Sequence, residues 1–355
     1  MRRQSIALRG RERRAGGPTA GALLALLMLP AGCLPNRVVI DLSGSAGALT
    51  ESTVLIDGGR TATGPKVALI DVSGVISHAA RPGLLISGGG NTVDDLVTRL
   101  DRAEKDPEVR AVVLRVNSPG GTVAASDTMF EEIKGFRARS KKPVVVSMAE
   151  VAASGGYYIS LAGDRIFAQP SSVTGSIGVI VQTVNFSKGM SMVGVEARAV
   201  TSGPNKALAS PFEPAKEPHY AILQSTVDDF YAGFVRRVRE GRPGIAEEKV
   251  ASIADGRIFT GTQALEAGLV DELGGLREAY ASARGLAGLE RARLITYHGE
   301  GYRPGSPYAM ARAADGGAAS AGPGSSGAGD AASVSINISG DLLPRTGFYY
   351  LWTGQ

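Results

Sequence analysis

Apolar and amphipathic stretches alternate through the middle of this 355-residue chain. The β-branched runs at 66–72, 109–116 and 144–148 are typical of buried strands. Residues 93–105 repeat their apolar side chains at helical spacing, and Pro107 predicts the end of that helix. The alternation indicates an α/β fold with crossover connections. Further expected elements are helices at 123–139, 154–163, 214–240, 247–252, 262–267 and 276–284, and short strands at 165–168 and 178–181.

The flanking segments differ in composition. Residues 311–332 are almost entirely Ala, Gly and Ser, which predicts a disordered linker. The aromatic tail at 348–352 could pack on the core, bind a neighbouring subunit or lie near a substrate groove. The predicted organisation is a signal segment at 1–32, a tether with an edge strand or two at 33–65, a compact domain at 66–290, a linker at 311–333 and a strand plus tail at 334–355.

The N-terminus has the pattern of an export signal. Six arginines lie within residues 1–14, and the apolar run at 20–29 is too short to span a bilayer. The following Pro30-Ala31-Gly32-Cys33 resembles a bacterial lipobox, although Pro30 stands where leucine is usual. We expect Cys33 to receive a lipid, which would make the chain an exported, membrane-anchored lipoprotein facing the periplasm or another extracytoplasmic space. The alternative is an ordinary cleaved signal with an incidental cysteine.

Composition excludes several kinds of site. The net charge of +4 comes from the arginine-rich N-terminus, so no basic face for nucleic acid is expected. Cys33 is the only cysteine, which excludes an internal disulfide and a cysteine-based zinc site. The three histidines are scattered along the chain. We therefore predict no metal and no cofactor.

Three segments could support chemistry. N-S-P-G-G at 117–121 joins a predicted strand to a helix, and its glycines can expose backbone N–H groups that bind a developing oxyanion. Ser154 lies among small residues at a predicted helix start. The third segment is T-G-S-I-G at 174–178, which contains Ser176. Lys206 lies in the loop that follows further along the chain. Taken singly, each has a plainer interpretation: a tight turn, an N-cap serine and a solvated lysine.

In combination the motifs resemble those of the signal peptide peptidase family, in its short, single-copy form, within the ClpP-like superfamily. The matches are N-S-P-G-G at 117–121, A-S-G-G-Y-Y at 153–158, T-G-S-I-G at 174–178, S-G-x-x-K-x-x-x-S-P at 202–211 and A-D-G-R-I-F-T-G at 254–261. They fall in the family's order between residues 66 and 284. The resemblance implies a ClpP/crotonase-like fold of repeated ββα units with a helical C-terminal extension, and a serine endopeptidase that acts on hydrophobic, signal-peptide-like substrates.

The resemblance also implies roles for individual residues. It makes Ser154 the nucleophile and Lys206 the general base, with Ser176 orienting the lysine. Gly155 and the Gly120-Gly121 pair match the oxyanion region, and which of the pair donates stays open. The lysine loop departs from the family in having Asn205 and Ala207 around Lys206, where Tyr and Asp are usual. Single-copy members form ring-like oligomers with active sites shared between subunits, and the family commonly uses a membrane-spanning helix where this chain would use a lipid.

Elementary chemistry agrees with a lysine base. A serine hydroxyl needs a base, and no histidine lies near the motifs in sequence. A lysine accepts a proton only when it is neutral, which apolar surroundings favour and a neighbouring carboxylate opposes. The segment from Thr201 to Phe212 contains no acidic residue. Two other functions remain open: a crotonase-type acyl-CoA enzyme, related at the level of the fold only, and a catalytically silent membrane scaffold.

Overall fold

The computed structural model describes residues 49–56, 63–80, 90–299, 302–309 and 349–351. The predicted signal segment, Cys33, the linker at 311–333 and the strand expected at 334–338 lie outside these residues. Among the described residues, no helix combines the length and the apolarity that crossing a bilayer requires.

A mostly parallel sheet forms the centre of the fold, as the sequence predicted. The strands are β1 Thr50–Ile56, β2 Lys66–Ser73, β3 Val109–Ser118, β4 Gly120–Thr122, β5 Val144–Ala153, β6 Arg165–Ala168, β7 Val173–Gly175, β8 Ile258–Thr260, β9 Glu272–Leu273, β10 Arg293–His298 and β11 Tyr349–Leu351. The main path of the sheet runs β1-β10-β2-β3-β5-β6-β9, and the short strands β7 and β8 continue from β5. All pairs from β10 to β9 along this path are parallel, whereas β1 at the edge is antiparallel to β10.

Helices cover both faces of the sheet, so alternate strand residues enter two different cores. The helices are α1 Thr92–Lys105, α2 Val123–Ser140, α3 Gly155–Ser160, α4 Ser187–Met192, α5 Glu217–Gly241, α6 Glu247–Ile253, α7 Gly261–Ala267 and α8 Leu276–Leu286. On β2, Ala68 and Ile70 join the larger core with α1, α2, α3 and α5, while Val67 and Leu69 pack with α8 on the other face. This arrangement explains why the central strands are apolar at nearly every position.

Some predicted elements need correction. The turn expected at 117–121 contains the end of β3 and the short strand β4, because β4 pairs with the C-terminal strand β11 in a separate two-stranded sheet. The strand expected at 178–181 is wrong: the strand here is β7, and only an isolated bridge at Ile180 lies within the predicted range. The sheet also includes β1, which lies in the segment expected to hold an edge strand, and β10, which follows residue 290.

The parallel strands place the motif residues at one edge of the sheet. Ser73 of β2 pairs with Asn117 of β3, and Ser118 pairs with Ala152 of β5. Ala153 in turn pairs with Gly175 of β7. Because carboxyl ends of parallel strands meet at a common edge, three segments that are distant in sequence converge there.

Candidate active site

Ser154 occupies a strained turn between strand β5 and helix α3. Its backbone has φ 53° and ψ −115°, a region that residues with a side chain rarely enter. The turn is fixed on both sides, because the Ser154 N–H donates to the Gly175 carbonyl at 2.7 Å and its carbonyl accepts from Tyr158 N–H at 2.8 Å. A strained strand-to-helix turn lifts a side chain away from its own backbone, a geometry also found in the nucleophile elbows of α/β-hydrolases. Ala152 stands at the first glycine position of the G-x-S-x-G pattern typical of such turns, so a search for that pattern would not find the Ser154 turn.

The hydroxyl of Ser154 is buried but lacks a hydrogen-bond partner within the described part of the chain. The residue is only 1% exposed. A buried hydroxyl normally finds a partner, and an exception of this kind points to a functional group. None of the three histidines supplies one: His78 is exposed, His219 contacts the Pro204 carbonyl, and His298 contacts residues of β1.

Glycines let the backbone of the β3–β4 turn lie directly against the turn that holds Ser154. A Cβ added to Gly155 would lie 3.1 Å from the Gly120 Cα and 3.2 Å from the Gly121 nitrogen. A Cβ on Gly120 would lie 2.7 Å from the Gly155 nitrogen, and one on Gly156 would lie 2.6 Å from the Ser118 carbonyl oxygen. Side chains at these positions would push the two turns apart. The backbone N–H groups of the β3–β4 turn can therefore lie next to Ser154 only because these residues are glycine.

The two glycines of the β3–β4 turn differ in what their N–H groups do. Gly120 N–H donates to the Ser118 hydroxyl at 3.1 Å, and that hydroxyl in turn donates to the Gly74 carbonyl at 2.6 Å. On one side of β4, Ile76 N–H donates to the Gly120 carbonyl and Thr122 N–H donates to the Ile76 carbonyl. Strand alternation therefore directs the N–H of Gly121 to the opposite side, away from Ile76.

Ser176 lies beside Ser154 at the end of the neighbouring strand. Each serine follows one residue of the Ala153–Gly175 pair, so the two lie at adjacent strand ends. Ser176 also has a positive φ of 50°, is buried, and donates its N–H to the Arg257 carbonyl at 2.7 Å. The sequence resemblance and the geometry therefore bring these two residues together.

Lys206 makes no hydrogen bond to the Ser154 hydroxyl, which has no partner among the described residues. It lies in a turn that begins at Gly203, whose carbonyl accepts the Lys206 N–H at 3.2 Å. Its side chain is exposed. The surrounding segment is rich in exposed apolar side chains, among them Val200 at 99% exposure and Met192 at 86%.

The two tyrosines that follow the Ser154-Gly155-Gly156 turn belong to the core and not to the reacting groups. The Tyr157 hydroxyl donates to the Leu269 carbonyl at 3.0 Å. Burial raises the pKa of Tyr157 to about 12, so it stays a neutral hydrogen-bond donor. Tyr158 donates to Asp127 at 2.7 Å, and burial raises its pKa as well.

Sequence reasoning left the position of the aromatic tail open among three alternatives, and the structure places its strand β11 next to the Ser154 turn. It pairs antiparallel with β4, so Tyr350 stands opposite Gly121. A Cβ on Gly120 would overlap the Tyr350 carbonyl oxygen. The unusual aromatic composition of residues 348–352 was the available signal, but composition alone does not say where a tail packs.

Comparison with known proteins supplies the family. The model of peptidase family S49 matches residues 137–290, which include Ser154, Ser176 and Lys206. A "Putative protease" of Synechocystis sp. is 38% identical over 231 residues, which cover 65% of this chain and 78% of that protein. The chain belongs to peptidase family S49. The resemblance found in the motifs is thereby confirmed.

Other relatives set the extent of the match. The "Putative signal peptide peptidase SppA" of Enterococcus faecium is 36% identical over 239 residues, covering 66% of this S49 chain and 68% of that protein. Protease 4 of Haemophilus influenzae is 36% identical over 221 residues, which cover 62% of this chain but only 35% of the relative. The S49 chain thus spans about a third of the longer relative. A ClpP1 mutant from Listeria monocytogenes aligns with 59% of this chain at 20% identity and a TM-score of 0.39, a likeness too slight to bear on activity.

The close approach of Gly120 to the Ser154 turn can be tested against a matched glycine. Gly120 and Gly74 both have positive φ, +105° and +76°, but a Cβ on Gly74 would meet no atom within 4 Å. We expect Gly74→Ala to lower the free energy of unfolding by about 1–2 kcal/mol, the cost of a left-handed backbone. Gly120→Ala should cost distinctly more, because its Cβ collides with backbone. Chemical denaturation measures both, and equal losses would contradict the packing described here.

Proposed function

We propose that this S49 chain is a serine endopeptidase held at a membrane surface, with Ser154 as its nucleophile. The observation that supports this best is the buried Ser154 hydroxyl, unpartnered among the described residues and lifted into a strained turn beside glycine backbone. Strained backbone of this kind persists where the surrounding structure holds it, and it clusters at active sites. The carbonyl carbon of a peptide substrate would be attacked by the Ser154 oxygen, giving a tetrahedral oxyanion.

The oxyanion would be bound by two backbone N–H groups, those of Gly155 and Gly121. Gly155 follows the nucleophile directly, and the Gly121 nitrogen lies close to it across the glycine contact. Gly120 is the weaker candidate, since its N–H already donates to Ser118. Fixed donors aimed at a developing charge contribute strongly to catalysis because they need no reorganisation during the reaction.

Lys206 is the proposed base, acting from a neighbouring subunit. Its neutral amine would take the Ser154 proton as the C–O bond forms, and would then give that proton to the leaving amine of the substrate. Ser176 lies beside Ser154 and would orient the amine. Within one described chain the Ser154 hydroxyl has no base and Lys206 is solvated, so assembly would bring the two together and desolvate the lysine.

A surface suited to such assembly surrounds Lys206. Most of the exposed large apolar side chains of the described residues fall between 180 and 222. An apolar surface of this extent is costly in water and marks a contact with another molecule. A closed ring of identical contacts would cover it on every subunit. The exposed members in this segment are Ile180, Val184, Phe186, Met192, Val193, Val195, Val200, Phe212, Tyr220 and Ile222.

The proposed substrates are hydrophobic peptides such as released signal peptides. The name of the Enterococcus relative and the expected lipid on Cys33 both support an enzyme that works next to a membrane. Two acyl chains would hold the protein there stably. The two remaining functions, a silent scaffold and an acyl-CoA enzyme, would not require a reactive Ser154.

Ser154→Ala should abolish both peptide cleavage and labelling by a fluorophosphonate probe, because the probe reacts with an activated serine hydroxyl. In-gel fluorescence of the labelled protein measures this directly. Ser191→Ala is the matched control, since Ser191 is exposed on helix α4 and should label like the parent protein. Full labelling of the Ser154→Ala variant would remove this serine from the role.

Mixing Ser154→Ala with Lys206→Ala subunits, each inactive alone, should restore activity if sites form between subunits. In a randomly mixed ring, roughly a quarter of the interfaces would pair an intact serine with an intact lysine. Peptide hydrolysis after verified subunit exchange is the measurement, and persistent inactivity would reject the shared site.

Lys206→Arg should be as inactive as Lys206→Ala, because a guanidinium stays charged and cannot act as the base.

Mass spectrometry of the mature N-terminus tests the anchor. We expect the chain isolated from bacterial membranes to begin at Cys33 and to carry a diacylglycerol thioether there. Cys33→Ser should release the protein from the membrane fraction without changing the intrinsic rate of peptide cleavage. A mature chain that begins elsewhere and lacks lipid would contradict the proposal.

A further inference from the structure

Helix α5 carries the lysine loop, residues 202–211, away from the core. The second half of α5 is anchored there, because Phe234 is fully buried and its ring packs against Tyr158 with centroids 5.0 Å apart. His219 lies near the other end of the helix, about 22 Å from Phe234 along the axis. Most residues of this first half are exposed. The lysine loop therefore stands at the end of an arm whose base is fixed in the core.

His219 joins the lysine loop to this arm. It lies in the first turn of α5 and is only 6% exposed, although Glu217 and Tyr220 on either side of it are exposed. Its Nε2 lies 3.1 Å from the carbonyl oxygen of Pro204. Because a carbonyl oxygen can only accept, the His219 Nε2 carries the hydrogen and donates it. The imidazole thus binds the backbone two residues before Lys206.

The other end of the lysine loop is held by a second side chain. The Asn185 Nδ2 donates to the carbonyls of Ser210 and Glu213, at 3.3 Å and 2.7 Å. Asn185 and His219 line one crevice together with Ala207 of the loop. The loop is therefore tied down at both ends, with Lys206 between them.

Between its two ends the lysine loop is built from short turns that are weak by themselves. Ala209 has a φ of +53°, an unfavourable backbone for a residue with a side chain. Exposed turns with few buried contacts open easily, so the shape of the loop depends on what holds its ends. The turn bonds run from Lys206 N–H to the Gly203 carbonyl at 3.2 Å, from Leu208 N–H to the Asn205 carbonyl at 3.2 Å and from Ser210 N–H to the Ala207 carbonyl at 3.1 Å.

We propose that His219 is a positioning residue for Lys206, which orders the lysine loop before two subunits meet. The inference rests on the proposed function and adds what prepares its base. A loop that must become ordered when it docks weakens the docking, whereas a loop that is already ordered does not carry that cost. His219 itself touches no substrate and transfers no proton. It acts through the Pro204 carbonyl on the loop that presents the Lys206 amine.

The first test separates the hydrogen bond from simple packing. His219→Leu fills much of the same space without a donor, and we expect kcat for a peptide substrate to fall about fivefold, the effect of one ordinary hydrogen bond. KM should stay unchanged, because Lys206 acts on the Ser154 proton and not on peptide binding. His219→Gln keeps a side-chain N–H and should recover most of kcat. An equal loss of kcat in both variants would overturn the hydrogen bond as the cause.

The second test moves the same substitution between subunits. In a mixture of His219→Leu/Ser154→Ala with Lys206→Ala subunits, every complete site takes its lysine from a loop that lacks His219. In a mixture of His219→Leu/Lys206→Ala with Ser154→Ala subunits, every complete site takes its lysine from a loop that keeps His219. We expect the first mixture to hydrolyse peptide about fivefold more slowly than the second. Both contain the same substitutions in the same amounts, so general destabilisation affects them alike, and equal rates would overturn the positioning role.

A third measurement does not depend on catalysis. Hydrogen exchange of the full-length chain, followed by mass spectrometry, should show faster exchange at residues 203–211 in His219→Leu and near-parental exchange in His219→Gln, with helix α1 as the internal control. Unchanged exchange in His219→Leu would overturn the inference whatever the activity. If exchange rises but no variant or mixture cleaves peptide, the proposed peptidase function fails while the ordering of the loop by His219 stands.

Discussion

The site depends on the contact between two backbone turns, one ending β3 and one ending β5. Gly120 and Gly121 on the first turn and Gly155 and Gly156 on the second allow an approach that no side chain permits. The contact fixes the Gly155 and Gly121 N–H groups beside Ser154, and it leaves one side of β4 to pair with strand β11. Because both turns continue neighbouring parallel strands, the rigid sheet sets their separation.

Under the proposed mechanism, the same arrangement would leave the general base to a neighbouring subunit. The Ser154 turn stores strain of about 1–3 kcal/mol, which the hydrogen bonds to Gly175 and Tyr158 maintain. The hydroxyl is thereby presented without any partner from the described residues. Lys206 lies on an exposed, apolar segment, where a neutral amine is not favoured until a second surface excludes water. An incomplete site that assembly completes would keep isolated subunits inactive.

The C-terminal strand adds long-range support at this edge of the fold. Strand β11 pairs with β4 on one side and bonds to the Ile180 backbone on the other, and the Tyr350 ring stacks on Tyr158. Residues from the two ends of the domain thereby hold the β3–β4 turn in place.

The sequence by itself determined the α/β class, most of the helices and the family, because hydrophobic period and short motifs are local properties that the fold does not alter. The motifs also pointed to the segments that form the strained Ser154 turn and the glycine contact, since few residue types suit a strained turn or a close backbone approach. Only the tertiary structure decided the rest. The strand β4 and the position of β11 depend on pairing between distant segments, and a composition-based interpretation of residues 348–352 cannot supply a partner. Likewise, the Gly120 to Ser118 hydrogen bond, on which the proposed preference for Gly121 rests, and the exposure of Lys206 were visible only in the structure. Both follow from contacts that the order of residues does not encode locally.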